Sequence, residues 1–140
     1  REIMARRIFV DTSAWLAVLD EDDSHHSEAV ELYKCLLEIQ INFITTILIV
    51  SETQILLRRR KGHEKAMAFM KNVNESPRIE ITYPDAHLER EARRILRQYE
   101  DHDFSLTDAL SFAFMRQNGL AEVFAYDRHF ATAGYTIIAE

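Results

Sequence analysis

Four carboxylates, Asp11, Glu52, Asp108 and Asp127, stand where apolar runs end or turn. Asp11 closes Ile8-Phe9-Val10, and Glu52 lies within Ile47-Leu48-Ile49-Val50-Ser51-Glu52. Asp108 opens an apolar stretch that continues to Met115, and Asp127 follows Val123-Phe124-Ala125-Tyr126. Apolar runs go to the core, where an unpaired carboxylate is costly. Four acids so placed point to a shared site, and acids sharing a site need cations. An all-oxygen cluster suits Mg²⁺ or Mn²⁺.

Each acid has a structural duty open to it. Asp11 and Asp127 can cap the helical turns that follow them. Asp108 completes a capping-box pattern with Ser105. Glu52 has Leu48, Ile49, Ile55 and Leu56 at helical spacing, which puts it on the expected buried stripe of its helix. A glutamate there needs a partner or a metal. Asp20, Asp22 and Asp23 read as a solvated loop run.

The elements that must carry these residues follow from periodicity. Short segments at Ile8–Val10, Asn42–Thr45, Ile79–Thr82, Glu122–Ala125 and Thr136–Ile138 read as strands, the first and fourth as continuous apolar runs and Ile79–Thr82 by alternation. Between them lie helical patterns over 13–19, 27–38 (capped by Ser27, with Ala29, Leu32, Leu36 and Ile39 inward), 47–61, 63–74, 85–99, 107–118 and a turn over 128–133. This alternation is an α/β fold with a central, mostly parallel sheet of five strands, or of four, flanked by helices. Ligands of such sheets bind beyond the carboxyl ends of the strands, where Asp11 and Asp127 fall.

The 140 residues favour one domain, spanning 1–140, with residues 1–7 set apart as a lead and Met4 a plausible native start. The net charge of −6 argues against a generic polyanion binder. Local basic runs at Arg58-Arg59-Arg60-Lys61 and at Arg90, Arg93, Arg94 and Arg97 remain available for phosphate, or are solvated helix faces. Cys35, the single cysteine, is expected to be a buried thiol, which fits a reducing, cytoplasmic setting. No apolar stretch is long enough to span a bilayer. The phosphate loop Gly-x-x-x-x-Gly-Lys, the dinucleotide Gly-x-Gly-x-x-Gly and the Gly-x-Ser-x-Gly elbow are missing, and His-Glu-x-x-His spacing does not occur. Of the six histidines, His129 alone falls near the acids in sequence.

Val10-Asp11-Thr12-Ser13-Ala14, Thr45-Thr46 followed by Glu52, Phe104-Ser105-Leu106-Thr107-Asp108-Ala109 and Tyr126-Asp127-Arg128-His129-Phe130 occur in that order. In this the chain resembles the PIN-domain nucleases, and within them the VapC-type toxins, from Ile8 to Ile138. The resemblance implies a metal-dependent endoribonuclease, often a homodimer, paired with a small antitoxin that covers the site. It implies that Asp11, Glu52, Asp108 and Asp127 hold one or two Mg²⁺ or Mn²⁺ ions, and that Thr12, Ser13 and Thr107 support them. Two ions would activate water and stabilise the leaving oxygen. An acidic centre also leads us to expect that the antitoxin inserts a basic side chain. A housekeeping RNA-processing or structured-DNA nuclease of the same fold, and a non-catalytic binding module, are the alternatives.

Overall fold

The structure, a computed structural model, describes residues 6–139. Five parallel strands form one sheet: β1 (Arg7–Val10), β2 (Asn42–Thr46), β3 (Ile79–Thr82), β4 (Glu122–Phe124) and β5 (Thr136–Ile137), in the order β3-β2-β1-β4-β5. The helices are α1 (Thr12–Leu19), α2 (His26–Glu38), α3 (Ile47–Lys61), α4 (His63–Glu75), α5 (Ala86–Gln98), α6 (Leu106–Gln117) and α7 (His129–Thr132). The sheet therefore has five strands, all parallel. β1 begins at Arg7, inside the segment set apart as a lead, and Arg6 makes an ion pair with Glu122. Residues 1–5, with the rest of that lead and Met4, lie outside the described residues.

The central strand β1 is paired on both edges. Phe9 sits opposite Ile44 of β2 and Val123 of β4. A strand covered on both edges and both faces must be apolar throughout, and Ile8, Phe9 and Val10 are all buried. Phe9 packs between Phe114 of α6 and Phe130 of α7, at ring-centroid distances of 5.8 and 6.3 Å. α1 packs on α2 and α3, and α3 on α4; on the other side of the chain α5 packs on α6, and α6 on α7. The strand order reverses between β1 and β4. That reversal opens a crevice at the carboxyl end of the sheet, the usual ligand position in open α/β sheets.

Side-chain caps set where the helices begin. Asp11 accepts from the Ser13 amide, Thr46 from Ile49, Asp85 from Leu88 and Ser105 from Asp108. Gly62, at φ 98°, ends α3 and lets α4 start at the next residue. α2 departs from expectation at its start: it begins at His26 rather than beyond Ser27, and His25 occupies the cap position without a side-chain cap bond.

Four expectations about burial are corrected. Cys35 is exposed, because the inward stripe of α2 runs through Ala29 and Leu36. Ile39, expected on that stripe, lies just past the helix end and is 62% exposed. Glu52 is exposed, since α3 buries Ile49, Val50, Thr53 and Leu57 and turns Glu52 and Ile55 outward. The Asp20–Asp23 run is not simply solvated: Arg60 and Lys61 pair with it, and Asp20 is buried.

Candidate active site

The strand-reversal crevice holds a cleft of about 260 Å³ lined by Asp11, Thr12, Ser13, Glu52, Leu56, Ser105, Asp108 and Asp127. Four separate elements converge on it. Asp11 leaves β1, and its backbone N–H donates to Phe124 O of β4 at 3.1 Å, tying the two sides of the reversal together. Glu52 reaches in from α3, Asp108 from the first turn of α6, and Asp127 from the exit of β4.

Each carboxylate is held by neighbours. Thr12 Oγ1 donates to Glu52 Oε1 at 2.6 Å. Ser13 donates to Asp11 Oδ2 from its hydroxyl at 2.9 Å and from its amide at 3.3 Å. Ser13 Oγ in turn accepts from the Tyr126 amide at 2.9 Å, so one hydroxyl joins α1 to the segment carrying Asp127. Asp108 completes the capping box by accepting from the Ser105 amide at 3.0 Å. Capping thus does not compete with a site role: the same helix start aims the Asp108 carboxylate at the cleft. Asp127 accepts from the His129 amide at 2.9 Å.

His129 is the residue that sequence reasoning left without a role. Its Nδ1 lies 3.1 Å from Asp108 Oδ2 and 3.4 Å from Asp127 Oδ1, bridging two of the acids. Asp108, Asp127 and His129 offer donor atoms within 4.8 Å of one another. The available signal was its position two residues after Asp127, on a turn that folds back towards the preceding strand end. Thr107 lies beside Asp108 on the first turn of α6 but outside the lining of the cleft.

The electrostatics mark Asp11. Burial raises its pKa from 3.8 to about 6, against the opposing pull of its Ser13 hydrogen bonds, and the Asp127 charge adds to the rise. A carboxylate so desolvated and so close to another is short of positive charge.

The basic run on α3 divides in two. Arg60 bonds to Asp20 and Asp23, each at 3.3 Å; Lys61 lies 3.2 Å from Asp20 and also pairs with Asp22. Lys65 on α4 adds a contact to Glu21 at 3.0 Å. Burial alone would raise the Asp20 pKa, but the Asp22 amide with Lys61 and Arg60 outweighs it and holds the group below its ordinary value. Arg58 and Arg59 are exposed, and Arg58 bonds to His63. On the second run, Arg93 and Arg94 pair with Glu89 and Glu91 of their own helix.

A five-stranded parallel sheet of this order, with acids meeting at its reversal, defines a class that comparison with known proteins identifies. A family model of the PIN domain matches residues 8–134. The 23S rRNA-specific endonuclease VapC20 of Mycobacterium tuberculosis is 34% identical over 128 residues, covering 91% of this chain and 95% of that protein. The crystal structure of M. tuberculosis VapC20, a sarcin–ricin-loop-cleaving toxin, superposes with a TM-score of 0.84 at 32% identity, over 95% of this chain and 99% of that one. VapBC2 from Rickettsia felis, solved bound to a promoter DNA fragment, shares the fold at 15% identity and a TM-score of 0.65, over 94% and 96% of the chains. FitAcB from Neisseria gonorrhoeae does so at 17% and 0.62, over 93% and 95%. The chain belongs to the PIN-domain family, among its VapC-type toxin endoribonucleases.

Proposed function

We propose that this protein hydrolyses phosphodiester bonds in a structured ribosomal RNA loop, using divalent cations held by Asp11, Glu52, Asp108 and Asp127. The observation that carries the reading is the convergence of four carboxylates from four elements on one small cleft. The substrate class follows VapC20, whose similarity extends over nearly the full length of both proteins.

The residues fit a divalent ion. Two carboxylates and an imidazole nitrogen lie on the Asp108–Asp127 side, and among the described residues Asp11 carries a desolvated carboxyl with no cationic side chain as a hydrogen-bond partner. Predominantly oxygen donors favour Mg²⁺ or Mn²⁺ over softer metals. A bound divalent ion supplies a polarised water and neutralises charge at the phosphate. The chain's own residues prepare for it. Thr12 fixes the Glu52 carboxylate, Ser13 fixes Asp11, and His129 Nδ1 lies within reach of both Asp108 and Asp127. Arg58 and Arg59 are the members of the basic run best placed for RNA phosphate, since Arg60 and Lys61 are engaged by the acidic loop.

An antitoxin partner fits the same electrostatics, because an arginine placed among the four acids would satisfy them as a cation does. A second copy of the chain suits the exposed Met67 and Tyr83, which border a cleft also lined by Ile47, Met70 and Ile81. Among the described residues no helix is long and apolar enough to cross a membrane, and a ribosomal RNA substrate would place the protein in the cytoplasm.

The test is cleavage of total RNA and of 23S rRNA with Mn²⁺, for wild type and Asp11→Asn, with and without EDTA. Cutting by wild type alone, and only without EDTA, is expected. Equal cutting by Asp11→Asn, or cutting in EDTA, would refute the assigned chemistry. Preference for structured DNA over RNA would favour the nuclease alternative.

A further inference from the structure

One residue before Asp127, outside the lining of the acidic cleft, two aromatic rings lie nearly parallel. The imidazole of His25 stacks on the phenol ring of Tyr126 at a centroid distance of 4.2 Å and an angle of 13°. His25 is solvent-exposed, and Tyr126 is half-buried beneath it. Stacking on Tyr126 occupies one face of the imidazole.

This pair is tied to the site at two points. Tyr126 immediately precedes Asp127 in the chain, so their Cα atoms lie about 3.8 Å apart. Its amide donates to Ser13 Oγ at 2.9 Å, and that hydroxyl donates to Asp11 Oδ2 at 2.9 Å. Burial, followed by the nearby Glu28 carboxylate, raises the Tyr126 pKa, so the ring stays a neutral phenol.

His25 is also held from its own side. It closes the acidic loop, where its amide donates to Asp23 Oδ1 at 2.9 Å. Arg60 and Lys61 clamp that loop to the end of α3. The same pairs offset part of the loop's negative charge, which otherwise would repel a polyanion approaching His25. Although His25 stands at the cap position of α2, its side chain makes no cap bond. The ring serves the stack instead.

We propose that the His25–Tyr126 pair is a stacking platform for one base of the RNA adjoining the scissile phosphate. The inference rests on the RNA reading given above. Sequence-specific RNA recognition works on unstacked loop bases laid against aromatic rings. A platform already assembled loses little freedom when a base docks. Stacking accepts any base, so this platform sets where the strand lies and leaves base identity to other contacts.

The test is steady-state cleavage of a 23S rRNA stem-loop oligoribonucleotide by wild type, His25→Ala and His25→Phe, with Mn²⁺ affinity measured by calorimetry on each. His25→Ala is expected to raise KM about tenfold, within the range for losing one stacked base, with Mn²⁺ affinity preserved. His25→Phe restores KM. Replacing successive nucleotides by abasic residues should reveal one position that weakens wild type about tenfold and leaves His25→Ala unaffected. An unchanged KM in His25→Ala, on an RNA that wild type cuts, overturns the platform alone. Equal loss in His25→Ala and His25→Phe overturns it as well, because the effect then belongs to the imidazole nitrogens. A wild type that binds Mn²⁺ but cuts no RNA overturns the proposed function together with this inference.

Discussion

Asp11 shows at the scale of one residue how a site is set against the stability of its own fold. Its carboxyl is buried at the end of the central strand, and burial lifts the pKa from 3.8 to about 6. A group whose pKa rises on folding favours the folded state when protonated. In metal-free protein this contribution is fully present below about pH 4 and is lost as the pH climbs through 6. A rise from 3.8 to about 6 corresponds to roughly 3 kcal/mol. Thermal melts in EDTA are therefore expected to show wild type losing stability between pH 4 and pH 7, with Asp11→Asn losing less and melting several degrees higher at pH 7.5. A flat profile that is the same in both proteins would contradict this. His129 works by contact with two acids. His129→Ala removes the bridge between Asp108 and Asp127, and loss of such a supporting partner costs about 10- to 100-fold in metal affinity. Mn²⁺ titration calorimetry measures it directly, and an unaltered affinity would remove His129 from the site.

At the scale of elements, the end of α3 and the acidic loop act as one piece. Asp20 is buried, with a side-chain exposure of 6%, and Lys61 reaches it from the partly exposed end of α3. Lys61→Ala leaves Asp20 with Arg60 and the Asp22 amide as partners. Losing one of its partners weakens the hold of α3 on that carboxylate. The expected result is a lower denaturation midpoint and faster proteolytic cleavage within residues 20–25. If His25 depends on this clamp, the KM for RNA rises as well. A protein as protease-resistant as wild type would show that the loop holds itself.

For the whole molecule, folding brings four acidic side chains to one cleft, a set of like charges that the proposed cation would relieve. A ligand that binds only the native state stabilises it by RT ln(1 + [L]/Kd), about 2.7 kcal/mol at a hundredfold excess over Kd. Mn²⁺ should raise the melting temperature of wild type and release protons as it binds. The rise should vanish in Asp11→Asn. A wild type indifferent to Mn²⁺ would favour a non-catalytic binding module.

The order and type of the elements were legible in the amino-acid sequence because each is local. Unbroken apolar runs mark strands covered on both faces, and helical spacing, caps and Gly62 mark the helices between them. The positions of Asp11, Glu52, Asp108 and Asp127 relative to those elements were legible for the same reason. What only the tertiary structure decided depends on contacts between distant segments. Glu52 faces a cleft instead of the core because α1 and the sheet select Ile49, Val50, Thr53 and Leu57 as the inward stripe of α3. Arg60 and Lys61 serve the acidic loop 40 residues earlier, and no pattern within either segment announces that pairing. His129 joins the acids because α7 folds back beside α6, and His25 meets Tyr126 across 101 positions of chain. Periodicity reports which way a side chain points from its own element; only packing reports what it meets.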